Sequence, residues 1–213
     1  MLLYKVLCYG DSNTWGAIPG SDDRYVRDSR WPGVLRKFLG EGYLVIEEGL
    51  NGRTTVWEDP IEGFKSGKDY LVPCLETHKP LDLVVVMLGT NDLKARFSVT
   101  AYDVAEGAGT LVEIIKKSVT GRRGNPPEVL LVAPPPIADL SEYEQPFSGA
   151  QEKSLEFADQ FNRVADELDV YLLDAGDFVS SSDRDGIHLE EQEHAKLGKA
   201  VGEKVVAIRE NLS

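Results

Sequence analysis

Four short stretches of this chain hold residue types that could do chemistry together. Gly10-Asp11-Ser12-Asn13 places a serine just after an apolar run. A glycine there permits a tight turn. Such a serine can present its hydroxyl to solvent with its own N–H free, or it can act as a helix cap, since Asp and Ser are favoured caps. A serine nucleophile needs a base, and the chain has three histidines, His78, His188 and His194. In Asp185-Gly186-Ile187-His188 the aspartate stands three residues before the histidine. That spacing lets a carboxylate reach Nδ1 while Nε2 faces outward. A developing oxyanion also needs donors. The Ser12 N–H is one. Gly52, in Gly49-Leu50-Asn51-Gly52-Arg53-Thr54, and the Asn91 amide, in Gly89-Thr90-Asn91-Asp92, are two more. Each segment taken singly also reads as a plain turn, because Gly, Asn and Asp dominate turns.

The other two histidines have plainer readings. His194 follows Glu191 by three residues inside a helical pattern, which predicts a solvated ion pair. His78 precedes Lys79-Pro80 and sits where a helix dipole is negative. No His-Glu-x-x-His run occurs and the histidines lack ligand spacing, so no metal is expected. Neither G-x-G-x-x-G nor a Walker sequence follows the first apolar run, so no phosphate cradle and no cofactor is expected.

These residues must be positioned by elements the sequence also marks. Five apolar runs of strand length stand out: Tyr4–Tyr9, Tyr43–Glu47, Leu83–Leu88, Val129–Ala133 and Val170–Leu173. Leu83–Leu88 is continuous rather than alternating, which predicts a central strand covered on both faces. Helical stripes fall between them over Trp31–Leu39, Tyr70–His78, Tyr102–Val119, Leu155–Leu168 and Glu190–Asn211. Strand–helix alternation implies a parallel sheet with helices on both sides. Ligands then sit at the carboxyl ends of the strands, where all four stretches fall. Three long loops lie there: Gly10 to Arg30, Glu48 to Lys68, and Pro134 to Phe147. No linker or repeat interrupts the pattern, so one domain over residues 1–213 is expected.

Composition narrows the partners. The chain has 213 residues, 42% of them apolar and 28% charged, ordinary for a folded protein of this size. Its 23 basic and 36 acidic residues give a net charge of −13. Duplex binding needs a basic face, and the one compact basic group, Lys116, Lys117, Arg122 and Arg123, reads as a solvated helix end. Neither a nucleic-acid nor a membrane partner is therefore expected, since no run approaches the ~20 apolar residues of a span. Cys8 and Cys74 read as buried thiols. The opening residues read as a first strand rather than a signal peptide, which predicts a cytoplasmic location.

Taken in order, Gly10-Asp11-Ser12, Gly52, Gly89-x-Asn91-Asp92 and Asp185-x-x-His188 resemble the four blocks of the SGNH (GDSL-type) hydrolase superfamily. The resemblance runs from residue 4 to about 209. Val45–Leu50, Arg53-Thr54-Thr55, His78–Leu83, Met87–Asp92 and Val132–Pro136 are similar to the bacterial arylesterase/acyltransferase branch. That branch implies a three-layer α/β/α flavodoxin-like fold with a five-stranded parallel sheet. It implies hydrolysis of short-chain acyl and aryl esters through an acyl-enzyme, with acyltransferase or perhydrolase activity in some members, and a homo-oligomer. By the family pattern Ser12 is the nucleophile, His188 the base and then the acid, and Asp185 its orienter. Ser12, Gly52 and Asn91 form the oxyanion hole. Asn13 stands where the family usually has Leu, and Ala17 where related acyltransferases carry a bulky aromatic.

Trp15, Ala17, Arg53, Tyr143 and Phe147 are candidates to bind a small-molecule ester, and Arg53 could instead anchor the Gly52 loop. Trp15, Trp57, Tyr143 and Phe147 could instead pack back onto the sheet, and the Tyr143–Phe147 region could meet another subunit. Two other activities fit the same blocks: a carbohydrate deacetylase, and a lysophospholipase or thioesterase. A flavodoxin-like binding module is the reading from a different class.

Overall fold

The computed structural model describes residues 3–141 and 143–212. The five apolar runs form one sheet: β1 (Tyr4–Gly10), β2 (Tyr43–Gly49), β3 (Leu83–Met87), β4 (Glu128–Ala133) and β5 (Tyr171–Asp174). Every pairing is parallel and the order is β2-β1-β3-β4-β5. All five residues of β3 are buried, so its unbroken apolar run reflects cover on both faces.

Alternate strand residues point to two cores. Leu7, Val84, Val86 and Leu131 pack under α3 (Gly67–His78), α4 (Ala101–Lys116) and α6 (Phe157–Leu168). Val6, Cys8, Val85 and Val132 pack under α2 (Trp31–Leu39) and α7 (Glu191–Asn211). The expected three layers are thus present. Two short α-helices also lie among the described residues: α1 (Ser12–Trp15) after β1, and α5 (Ala150–Ser154).

Several boundaries differ from the sequence pattern for local reasons. α3 begins at Gly67 because the Ser66 side chain caps it, accepting from the Asp69 N–H at 3.3 Å. α4 stops at Lys116, and Val119, expected inside it, is exposed. The helix expected over 155–168 is α6, which starts two residues later, since Leu155 is exposed and the apolar stripe starts at Phe157 with Phe161, Val164 and Ala165; the short α5 precedes it. The basic group is largely engaged. Arg122 grips the Asp82 carboxylate, Lys117 pairs with Glu113 at 2.5 Å, and Lys116 donates to the Leu168 carbonyl at the end of α6.

β1 connects to β2 on one side of it, and β3 lies on the other. The chain direction therefore splits between β1 and β3, which opens a crevice at their carboxyl ends. The residues that follow β1 and β3, Ser12 and Asn91, flank that crevice.

Candidate active site

Ser12 is freed for chemistry because its neighbour takes the cap. The Asp11 carboxylate accepts from the Asn13 N–H at 2.9 Å, so Ser12 is the first residue of α1 with no capping duty. The cap and nucleophile readings fall on adjacent residues. Asp11 is almost wholly buried, and burial pushes its carboxyl up to about 6 despite the amide bond.

Asp185 lies in the loop between β5 and α7 and is fully buried. Its Oδ1 accepts from the N–H groups of Ile187 at 3.0 Å and His188 at 2.9 Å. Its Oδ2 accepts from the Gly20 N–H at 2.9 Å and meets His188 Nδ1 at 2.8 Å. Burial pushes the carboxyl up, but the His188 ring and these amides outweigh it and hold it well below the usual carboxylate range. An ionised carboxylate only accepts, so Nδ1 carries the ring proton. Nε2 is then a free acceptor, and it lies 3.0 Å from Ser12 Oγ. The arrangement can move a proton off Ser12 without moving a heavy atom.

The two other expected donors face the same cleft. Gly52 has φ +78°, and a Cβ there would come within 2.5 Å of Glu62 Oε2. Glycine meets both constraints. Asn91 Nδ2 donates to the Arg53 carbonyl at 3.1 Å, and its second hydrogen remains for the cleft it lines. The two loops are clamped to each other. The Thr55 N–H donates to Asp92 at 3.0 and 3.1 Å, and the Thr55 hydroxyl donates as well. Asp92 is fully buried, and burial pushes its carboxyl up to about 7.

The cleft has a volume of about 230 Å³. Four of the five candidate binding residues, Trp15, Ala17, Tyr143 and Phe147, line it. Phe147 is buried and Tyr143 packs edge-on against both Phe147 and His188, so this region turns inward. Trp57 packs back onto the core. Arg53 is the exception among the five and takes the anchoring role that the sequence left open beside substrate binding. It is buried outside the cleft, donates to the Gly10 carbonyl at 2.8 Å and to the Glu48 carbonyl, and stacks over Tyr9. It anchors the Gly52 loop to the end of β1.

His194 also differs from expectation. It is fully buried rather than solvated, and Glu191 bonds Ser29 instead. His78 pairs with Glu48 at 2.7 Å. Cys74 lies within 4.8 Å of that pair, the one grouping of metal-ligand types among the described residues. Both cysteines are unpaired and buried.

Sequence reasoning missed the polar wall of the cleft. Asp22, Asp23, Asn51, Glu62, Lys65 and Lys94 line it. Lys94 is buried and lies 2.5 Å from Glu62 and 3.3 Å from Asp59. Arg96 holds the other Asp59 oxygen at 2.8 Å. Burial raises the Asp59 carboxyl, but the Ile61 and Glu62 amides and Lys94 outweigh it and bring it to about 2. Charged residues in a loop ordinarily read as solvated, so composition gave no signal here.

Comparison with known proteins agrees with this geometry. Residues 8–196 match the GDSL-like Lipase/Acylhydrolase family model. The chain belongs to that family and is a carboxylic-ester hydrolase. Three solved structures are closely similar. A carbohydrate acetylesterase from Sinorhizobium meliloti is 43% identical with a TM-score of 0.92, covering 96% of this chain and 99% of its own. The M. smegmatis aryl esterase is 42% identical with a TM-score of 0.92 and the same coverage. A carbohydrate acetylesterase family member from Sinorhizobium meliloti is 36% identical with a TM-score of 0.90, covering 95% and 97%. No curated protein sequence matches the chain. Among the described residues no helix is long and apolar enough to cross a membrane.

Proposed function

We propose that the chain hydrolyses short acyl esters through an acyl-enzyme on Ser12. The observation that carries this reading is the unbroken relay Ser12–His188–Asp185, at 3.0 and 2.8 Å, beside the Asn91 amide in one cleft. His188 Nε2 takes the Ser12 proton as Oγ attacks the ester carbonyl. The carbonyl oxygen, now negative, accepts from the Ser12 N–H, the Gly52 N–H and Asn91 Nδ2. The C–O bond breaks, and the alcohol leaves with the proton from His188. Water then attacks the acyl carbon, giving a proton to His188; the acyl–Oγ bond breaks, the carboxylic acid leaves, and His188 returns the proton to Ser12 Oγ. Asp185 keeps Nδ1 protonated and offsets the imidazolium charge at each transfer.

The cleft favours small substrates. Its volume falls below the ~300–1,000 Å³ of drug-sized sites, which argues against long acyl chains and hence against a lysophospholipase. The charged wall suits a polar alcohol, such as a partly acetylated sugar, while Trp15, Tyr143 and Phe147 suit an aryl group. The small Ala17 on the cleft wall, where related acyltransferases carry a bulky aromatic, favours entry of water, so hydrolysis is the main outcome and acyl transfer the lesser one. Self-association belongs to the same reading. The exposed Ile61 and Phe64, on the Asp59–Lys65 loop, are the apolar surface it would cover. The two unpaired thiols accord with a cytoplasmic location.

The test is p-nitrophenyl acetate turnover with fluorophosphonate labelling read by mass spectrometry. Ser12→Ala abolishes both turnover and the single adduct. An adduct on another residue, or turnover by Ser12→Ala, overturns the assignment. Asn91→Ala lowers kcat by about 10²–10³ if its amide holds the oxyanion. Wild-type kcat in that variant removes Asn91 from the hole.

A further inference from the structure

We propose that Asn13 is a positioning residue that sets the distance between the nucleophile and its base. This inference rests on the reading that His188 serves Ser12. Asn13 is buried and follows Ser12 directly, and it does not line the cleft. Its side chain reaches across to the loop that carries the base, 174 residues away in sequence. Asn13 Nδ2 donates to the Ile187 carbonyl at 3.1 Å. Asn13 Oδ1 accepts from the Leu189 N–H at 3.1 Å. The two partners are the backbone groups immediately before and after His188.

The pattern calls for an amide. One partner is an acceptor and the other a donor, so the carboxamide has one orientation that satisfies both. Aspartate would set an oxygen against the Ile187 carbonyl oxygen. Leucine has the same branching and number of side-chain heavy atoms but would leave a buried carbonyl and a buried N–H unpartnered. The Asn13 backbone is itself fixed, since its N–H donates to Asp11 at 2.9 Å. The His188 carbonyl is held from the other side by the Ser182 N–H at 2.8 Å. Three hydrogen bonds thereby hold the backbone around the base, and two of the three are made by the residue beside the nucleophile. A side chain with this connection does not touch substrate. It acts through the Ser12–His188 distance, and proton transfer falls steeply when that distance opens.

The experiment is a double-mutant cycle on p-nitrophenyl acetate hydrolysis, with kcat and KM separated. Asn13→Ala and the similarly branched Asn13→Leu lower kcat by about 10- to 100-fold and leave KM near wild type. In a His188→Ala background the same substitutions have no further effect, because the group they position is gone. A loss that persists in that background marks general damage to the fold and overturns the proposal. So does wild-type kcat in both single variants. If one variant fails to fold, as read by circular dichroism, the other carries the cycle, and Asn13→Asp, which keeps one of the two bonds, serves as a third. Failure of the underlying reading is distinct, since His188→Ala would then keep its activity with Asn13 intact.

Discussion

The loop ending at His188 and the first turn of α7 holding His194 lie six residues apart and give the same side chain opposite characters. His188 has a carboxylate on Nδ1, a hydroxyl on Nε2, and an opening to the cleft. His194 has no carboxylate. Its Nδ1 accepts from the Trp31 N–H at 3.3 Å, Tyr25 packs edge-on to the ring, and Nε2 has no hydrogen-bond partner among the described residues. Burial drives it to about 3, with His188 and Arg30 adding to the effect. The difference follows from what faces each ring. An acceptor-only partner at one nitrogen makes the other a base, whereas a donor partner in a closed core makes the ring a packing element.

Substitution at the two positions separates them most widely in rate. His188→Ala removes the proton acceptor and lowers kcat by about 10⁴-fold or more. His194→Asn leaves kcat within about twofold, because no atom of that side chain reaches the reacting groups. Steady-state turnover at matched folded concentration measures both. Equal losses would mean that His194 contributes to the chemistry and that the contrast is only one of burial.

Much of this contrast was legible beforehand, and the reasons differ by residue. His188 stands outside any helical stripe and follows a strand, with Asp185 at a spacing that local geometry can use. The strands and most helices were legible because burial on one or two faces imposes a period on the sequence. His194 was misread because a histidine three residues after a glutamate looks alike whether its helix face meets water or a neighbour. That face meets Trp31 and Tyr25, 163 and 169 residues away in sequence. The role of Lys94, and the choice between the two roles open to Arg53, were illegible for the same reason. Their partners are backbone carbonyls and carboxylates that only the folded loops bring near. Asn13 was visible as a departure from the family's usual residue, but the two groups it joins were not.

The second measurement concerns stability, where the expected effect is smaller and reverses the ranking of the two histidines. In the fold His194 stays neutral down to about pH 3, whereas in the unfolded chain it takes up a proton near its ordinary value of 6.5. The unfolded state therefore binds more protons between those limits, and stability falls as pH drops through that window. The slope approaches about 1.4 kcal/mol per pH unit well below 6.5, so the loss from pH 7 to pH 4.5 is roughly 2–3 kcal/mol. His194→Asn keeps an acceptor near the Trp31 N–H but cannot take a proton in either state. Urea unfolding at the two pH values then shows a smaller acid loss for this variant than for wild type, by about that amount. An identical acid loss in both proteins would mean that His194 is protonated in the fold. The pairing with Trp31 would then have to be reassigned, because an imidazolium nitrogen donates and cannot accept from that N–H.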